Sequence, residues 1–510
     1  MKPSHRPPAE STEGALLRLA PWIVAALALI FIPLKIVSYG YVPPGDARRH
    51  VAKAFTDKPY SEIVVMRSSY AIDHSPGWEW LLRGARKLTG AGPDTLMTLS
   101  IVAPMLAMFF AAWPWMRRPE AWLAAVLAEL VAVPDWMTRL TQARPYLVTE
   151  AVLIAILFAW TRAGKKGPGR GPSPAKLIWT AVGIALSVWI HGAWYLWALP
   201  IAAFFLAGWF RSGLALVGCW AGGTIVGALA TGKPVAFLET GLSMALQVSR
   251  EAVPQWMMVG EFLPSGGEFN TLLLLAVVYL WRRATKNAAP SLLDSPVFAL
   301  IAIGWVLGFR ADRCWADWGL PAAVVWMAGL FEDIMETGWA PGSRRSALVT
   351  CLLALPLYFH STSDLERRYT RGLREVYLDA RDPKLEGWMP DPGGVIYAGH
   401  MAVFYNTFYK NPQADWRYIL GFEPALMPED DLKIYRGIQA SGGAVAAYGP
   451  WIAKMRPADR LIIGSTDQPA LPGLQWIEGG GGVWIGKLKS SPQRGPVEKP
   501  SSGRKPLDTK

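Results

Sequence analysis

The sequence predicts a polytopic α-helical membrane protein with a small α/β domain after its last span. Three observations carry that prediction. Of 510 residues, 52% are hydrophobic, only 18% are charged and 26 are tryptophan; a soluble chain of this length carries more charge. The apolar residues come in long runs. After residue 360 the runs stop, and short strand-like and helical stretches alternate.

The first run, 20–39, holds one charge, Lys35, which reads as snorkelling or paired. As a helix it spans roughly 30 Å, one hydrocarbon core. It is too long for a signal-peptide core and no A-x-A site follows, so it is expected to stay as a signal-anchor. Hydropathy gives about eleven spans. They lie near 20–39, 95–113, 120–134, 145–160, 176–191, 194–210, 213–231, 270–281, 296–309, 318–334 and 345–360. The loop 161–176 carries Arg162, Lys165, Lys166, Arg170 and Lys176 with no acid. Alternating spans put Arg117-Arg118, Arg211, Arg282-Arg283 and Arg344-Arg345 on the same side, which the positive-inside rule makes cytoplasmic. The N-terminus is then expected inside and everything after 361 outside. Tryptophans near the span ends, such as Trp113, Trp160 and Trp281, read as an aromatic belt.

The domain reading follows: a transmembrane part over 1–360, an α/β domain over 361–488, and a disordered basic tail over 489–510. The long first outer loop, 41–94, predicts two short helices. One runs over 47–55 with Asp46 as its cap. The other starts at Ser75-Pro76, a strong start signal, with Trp78, Leu81, Leu82, Ala85 and Leu88 on one face, and is expected on the membrane surface. The loop 232–269 also reads as amphipathic. In the last domain, 365–378 reads as a linking helix. Stretches 395–397, 417–420, 461–463 and 483–485 read as strands, and 432–439 and 444–455 as helices. The run Gly479 to Gly482 opens no helix, so it is discounted as a nucleotide loop.

Cys219, Cys314 and Cys351 build neither a disulfide framework nor a metal spacing. A net charge of +12 in a soluble protein points to nucleic acid. Here the surplus sits in membrane-flanking loops and the tail, so orientation and membrane lipid account for it and nucleic acid is not expected.

Candidate chemistry collects on the outer face. Val42-Pro43-Pro44-Gly45-Asp46-Ala47-Arg48-Arg49-His50 leaves the first span directly, after a helix-halting Pro-Pro-Gly. The same loop adds Asp73 and His74. Other outer turns add Asp135, Arg139, Gln142 and Arg144, then His191, then Arg310, Asp312, Arg313 and Asp317. Ionisable groups at this depth line a cavity or pair with each other. Arginines flanking an acid suit an anionic ligand and a proton acceptor. Blander readings stand beside these: a cap for Asp46, a turn for Asp73-His74, a packed interfacial histidine for His191, orientation charges for Arg144 and Arg310, and an ion-pair turn for Asp312, Arg313 and Asp317. Tyr397, Phe404, Tyr405, Phe408 and Tyr409 suit either a core or a sugar platform.

On this layout the chain resembles the GT-C superfamily of membrane glycosyltransferases, which use polyprenyl-phosphate-linked sugars. The multi-span order, the long first outer loop with an acid soon after the first span, and the outer domain after the last span carry the resemblance. Gly45-Asp46 and Asp73-His74 sit where that family's first-loop acids and their neighbours sit. The resemblance implies an inverting transferase of a bacterial inner membrane, with its C-terminal domain periplasmic or extracellular. Asp46 would be the catalytic base. Arg49, His50, Asp73, His74, Arg144, His191, Arg310 and Arg313 would line the substrate site. The partners implied are a polyprenyl-phosphate-linked sugar donor and a glycan or lipid acceptor. Members with a D-D or D-x-D pair differ, because Asp46 is the lone acid of its stretch; the spacing does not support a divalent metal and no cofactor is expected. Two rivals remain open: a polytopic binder or transporter of a lipid-linked saccharide, and a transferase of whole oligosaccharides to protein or lipid A.

Overall fold

In the computed structural model the described residues are 12–67, 72–162, 172–250, 263–265, 269–286 and 291–489. Each of the eleven apolar runs is helical. The helices are α1 (Thr12–Ser38), α2 (Asp46–Lys53), α3 (Tyr60–Ile63), α4 (Pro76–Thr89), α5 (Pro93–Phe110), α6 (Pro119–Ala132), α7 (Asp135–Leu140), α8 (Tyr146–Arg162), α9 (Pro174–His191), α10 (Ala198–Leu206), α11 (Phe210–Leu229), α12 (Pro234–Arg250), α13 (Phe269–Lys286) and α14 (Pro296–Gly308). Then come α15 (Asp312–Cys314), a π turn over Trp315–Gly319, α16 (Leu320–Met335) and α17 (Arg344–Thr362). Segments Leu16–Ser38, Pro93–Trp115, Pro174–His191, Phe210–Leu229 and Asp312–Gly338 are long and apolar enough to cross a membrane. Proline opens α4, α5, α6, α9, α12 and α14, where its missing N–H costs nothing. Ser173, Ser295 and Ser343 cap α9, α14 and α17 through their hydroxyls. The predicted amphipathic loop 232–269 is a helix over its first half, and residues 251–262 and 266–268 lie outside the described residues, as do most of the basic loop 161–176 and the tail from 490.

A five-stranded sheet follows: β1 (Val395–Ala398), β2 (Arg417–Tyr418), β3 (Arg460–Gly464), β4 (Leu474–Gly480) and β5 (Val483–Leu488). Its order is β2-β1-β3-β5-β4; β1 is parallel to β2 and β3, and β5 antiparallel to β3 and β4. Three helices cover it: α18 (Met401–Lys410), α19 (Glu429–Ala440) and α20 (Gly449–Lys454). Strand β4 and helix α18 go beyond the elements the sequence predicts. The glycine run 479–482 turns the β4–β5 hairpin. One face of the sheet buries Ile396, Phe404, Phe408, Tyr418, Ile462 and Ile485 together with Tyr60, Ile63 and Val64 of the first loop. Val64 bridges Tyr418, and the Val65 N–H donates to the Tyr418 carbonyl at 2.9 Å. The loop after the first span is thus stitched to the edge of the last domain.

Several local expectations change. The predicted linking helix 365–378 is two short 3-10 turns, Leu365–Arg367 and Arg371–Arg374, because Glu366 and Arg367 take positive φ. The predicted helix 444–455 divides into a 3-10 turn, Val445–Tyr448, and α20, which Gly449-Pro450 opens. In α4, Trp78 and Leu82 are buried while Leu81 and Leu88 are exposed. Asp46 is not a cap: Gly45 holds the cap position at φ 78°, and no side chain bonds the helix start.

Candidate active site

Helix α2 begins where the chain leaves α1, and the Pro-Pro-Gly turn fixes that exit. Gly45 is favoured there by its positive φ, and the Arg144 guanidinium lies beside it, 3.8 Å from where a Cβ would stand. Asp46, the first residue of α2, turns its carboxylate to Arg49 one turn on, with Nε–Oδ1 at 3.1 Å. The Asp46 side chain keeps 22% of its surface exposed, whereas Arg49 has none. Arg49 is the hub. It donates to Asp73 at 3.0 Å, to Tyr60 at 2.8 Å and toward His50 Nε2 at 3.2 Å, and lies 3.9 Å from Glu79. Its guanidinium also stacks on Phe422, 4.1 Å from the ring centre.

Environment divides the three acids around this hub. Burial alone pushes the Asp46 carboxyl up; Arg49, Arg144, His50 and His74 outweigh it and hold it well below the ordinary range. Asp73 follows the same balance through Arg49 and His74, and is ionised. Burial opposes a charge on His74, but Asp73 beside it, at 3.2 Å, raises its pKa. Glu79 goes the other way: burial and the Asp73 charge push it up to about 8. It accepts from the Tyr60 hydroxyl at 2.5 Å. Burial and Arg49 take His50 down to about 3, so it is neutral.

The last domain roofs this cluster. Tyr405 on α18 donates to Asp46 at 3.3 Å. Phe422 packs on Arg49, Tyr60 and His74. Glu423, the next residue, is pushed up to about 7 by burial, with His74 and Arg49 lowering it and Asp46 raising it. Sequence reasoning missed Tyr60, Glu79, Phe422 and Glu423, and had Tyr405 only as a core or sugar-stacking aromatic.

The remaining predicted residues gather beside it. Gly192 lies directly under the His74 carbonyl: a Cβ there would come within 2.1 Å of that oxygen. His191, one residue earlier, meets Arg313 through Nε2 at 2.7 Å and Thr149 through Nδ1 at 3.2 Å. Arginine only donates, so His191 is neutral with its proton on Nδ1. Asp317, in the π turn, takes Arg139 and also Arg313, the latter at 3.4 Å. Arg139 further lies 3.9 Å from Asp312, so the ion-pair turn expected of Asp312, Arg313 and Asp317 is present. Arg144 follows Ala143, a residue at φ 54°, and lies within electrostatic reach of both Asp46 and His191. Arg310 is exposed and forms no ion pair among the described residues. Glu150, buried on α8, has no hydrogen bond to either oxygen among the described residues.

One donor trio has metal-ligand spacing: His50, Asp73 and Glu79 offer atoms within 4.8 Å of one another. It does not fit a divalent ion. Arg49 already lies within 3.9 Å of all three, donates to Asp73, and carries a charge that no physiological pH removes. An ion would have to displace a buried guanidinium to enter.

No protein-family model matches the sequence, and no curated protein does. Two solved structures are similar in layout. One is the oligosaccharyltransferase of Archaeoglobus fulgidus in complex with zinc and sulfate, 14% identical, covering 85% of this chain and 67% of that one, with a TM-score of 0.43. The other is ArnT from Cupriavidus metallidurans in the apo state, 14% identical, covering 91% of this chain and 96% of that one, with a TM-score of 0.33. Both are GT-C membrane glycosyltransferases. At such scores the overlap is loose, and the site stands on its own geometry.

Proposed function

We propose that this protein is an inverting membrane glycosyltransferase that moves a sugar from a polyprenyl-phosphate donor to a glycan or lipid acceptor, outside the cytoplasm of a bacterial inner membrane. The observation that carries the reading is Asp46: a partly open carboxylate, clamped by Arg49, under Tyr405 and next to Arg144. The Asp46 carboxylate orients the acceptor hydroxyl and takes its proton as the oxygen attacks the anomeric carbon. The bond from that carbon to the phosphate oxygen breaks on the opposite face. The lipid phosphate leaves with the electron pair, and Arg144 neutralises the charge. A carboxylate held this far below neutrality is a weak base, and Glu423, raised to about 7 beside the same cluster, is the group we assign to take the proton on. No step is routed through a metal, since Arg144 supplies the positive charge at the leaving phosphate.

The test is a mass-spectrometric comparison of envelope glycans from cells with and without the protein. One missing sugar supports the reading. A missing oligosaccharide block favours whole-glycan transfer, and unchanged glycans would overturn transferase activity in favour of a binder.

A further inference from the structure

The segment between α17 and the sheet is strained, exposed and basic, and no part of the proposed reaction uses it. Glu366 and Arg367 are consecutive non-glycine residues at φ 55° and 60°. Such strain persists where the surroundings over-determine it. Here Asp364 accepts from the Tyr369 N–H at 2.6 Å, the Thr370 N–H at 3.2 Å and the Thr370 hydroxyl at 2.6 Å. Tyr369 is fully buried, bonded to the Ser361 carbonyl and packed on Tyr39 and Tyr41 at the end of α1. The locked turn throws the intervening side chains outward. Leu365 is 73% and Leu373 55% exposed. Arg367, Arg371 and Arg374 are exposed and pair with no acid among the described residues. Glu366 is the one exposed acid of 364–374.

The height of this ledge is set by two helices. It follows α17 directly, and Leu373 touches the chain at Gly40, just past α1. Below it, α1 exposes Leu27, Phe31 and Leu34, and α17 exposes Leu352, Leu355 and Phe359. On the membrane reading these faces meet the bilayer, and the ledge continues them into the headgroup layer. We propose that Leu365, Arg367, Arg371, Leu373 and Arg374 form a docking ledge for anionic phospholipid headgroups, with the leucines in the acyl boundary and the arginines on the phosphates. The ledge also leads into the site: Glu375 binds the buried Arg48 of α2, whose neighbour is Arg49. Lipid on the ledge therefore steadies the helix that carries Asp46. The proposal rests on the membrane reading and not on the transferase reading.

Full-length protein in nanodiscs of phosphatidylcholine, with or without phosphatidylglycerol, tests it through the thermal midpoint and native mass spectrometry of retained lipid. Each arginine is expected to contribute about fivefold in relative affinity for the anionic lipid. Wild type should gain midpoint with phosphatidylglycerol, less so at high salt. Arg367→Gln/Arg371→Gln/Arg374→Gln should keep its midpoint in phosphatidylcholine and lose most of the gain, while the triple lysine variant keeps it. An equal gain in the glutamine variant, or no gain in wild type, overturns the ledge. So does inorganic phosphate reproducing the effect in phosphatidylcholine, which would mark a free-anion site. If the glutamine variant does not fold, Leu365→Ser/Leu373→Ser is the second probe: undiminished retention of phosphatidylglycerol there overturns the ledge.

Discussion

The two ends of the helical bundle both carry buried ion pairs, but of different kinds. At the end away from the sheet each acid is held by several donors. Glu332 takes Arg162 at 2.6 Å and the N–H groups of Arg117 and Arg118 at 2.7 and 3.2 Å. Glu120 takes Arg118 at 3.3 Å, Ser346 at 2.8 Å and the Trp339 indole. Each acid there ties several helix ends together. At the sheet end, one arginine faces Asp46, Asp73 and Glu79, and Glu423 lies close by. Their pKa values diverge, two depressed and two raised to about 8 and 7. Acids tied in this way hold a structure; groups whose environments drive their pKa values apart mark chemistry. The positive-inside rule accounts for the basic residues of the first end only, and the partners of each set show what it is for.

The sharpest way to break this comparison is one substitution at each end. Asp46→Asn keeps the shape and should lower turnover by about two to four orders of magnitude, the usual cost of a lost general base, with little change in thermal midpoint. Glu332→Ala strands the half-buried Arg162 and two N–H groups, and should cost about 3 kcal/mol of stability. Its turnover per folded molecule should stay near wild type. Transferase assays on purified protein, matched for folded fraction, decide it; near-normal Asp46→Asn would return Asp46 to a structural role.

Next in size is Arg144→Ala. A charge-assisted contact to phosphate contributes about 1.5–3 kcal/mol, so apparent donor affinity should fall by about ten- to a hundredfold. Arg310→Ala, at an exposed turn outside the ion-pair cluster, should change it far less. Equal effects would move the phosphate site toward Arg310.

Glu423→Gln sharpens the contrast through pH. With its pKa raised to about 7, Glu423 is protonated below that value and ionised above it. If it receives the proton from Asp46, wild-type turnover rises as pH passes through about 7. The glutamine variant should lose that limb and run about tenfold slower above it. An unchanged profile would leave Asp46 as the sole acceptor.

Much of the helical layout was legible because long apolar runs fold as helices: all eleven runs are largely helical, and five segments among the described residues are long and apolar enough to cross a membrane. Asp46, Arg49, Asp73 and His74 were legible as a set because they share one loop. Glu79 was not, since it lies in α4, where a helix with an apolar face reads as a surface element. Tyr405, Phe422 and Glu423 reach the site across more than three hundred residues, through the pairing of Val64 with Tyr418. A two-residue edge strand leaves no periodicity to read. The 365–378 segment failed as a helix for a local reason: Asp364 binds its own backbone ahead, and that competes with helical bonding.

The smallest effect tests whether strain belongs to the site. Ala143 sits at φ 54°, just before Arg144. Left-handed backbone costs an alanine roughly 1–2 kcal/mol. Glycine removes that cost but gives the unfolded chain freedom, worth about 0.4–1 kcal/mol against folding. Glycine also gives up a methyl that is fully buried, worth about 0.8 kcal/mol. These terms nearly cancel, so the thermal midpoint of Ala143→Gly should stay within about a degree of wild type. Yet the strained alanine leaves Arg144 one way to point, and glycine leaves several. Donor affinity should therefore drop, about twofold, at unchanged stability. A site held under strain requires that separation of the two readouts. An affinity that stays at the wild-type value would make Ala143 an ordinary turn residue.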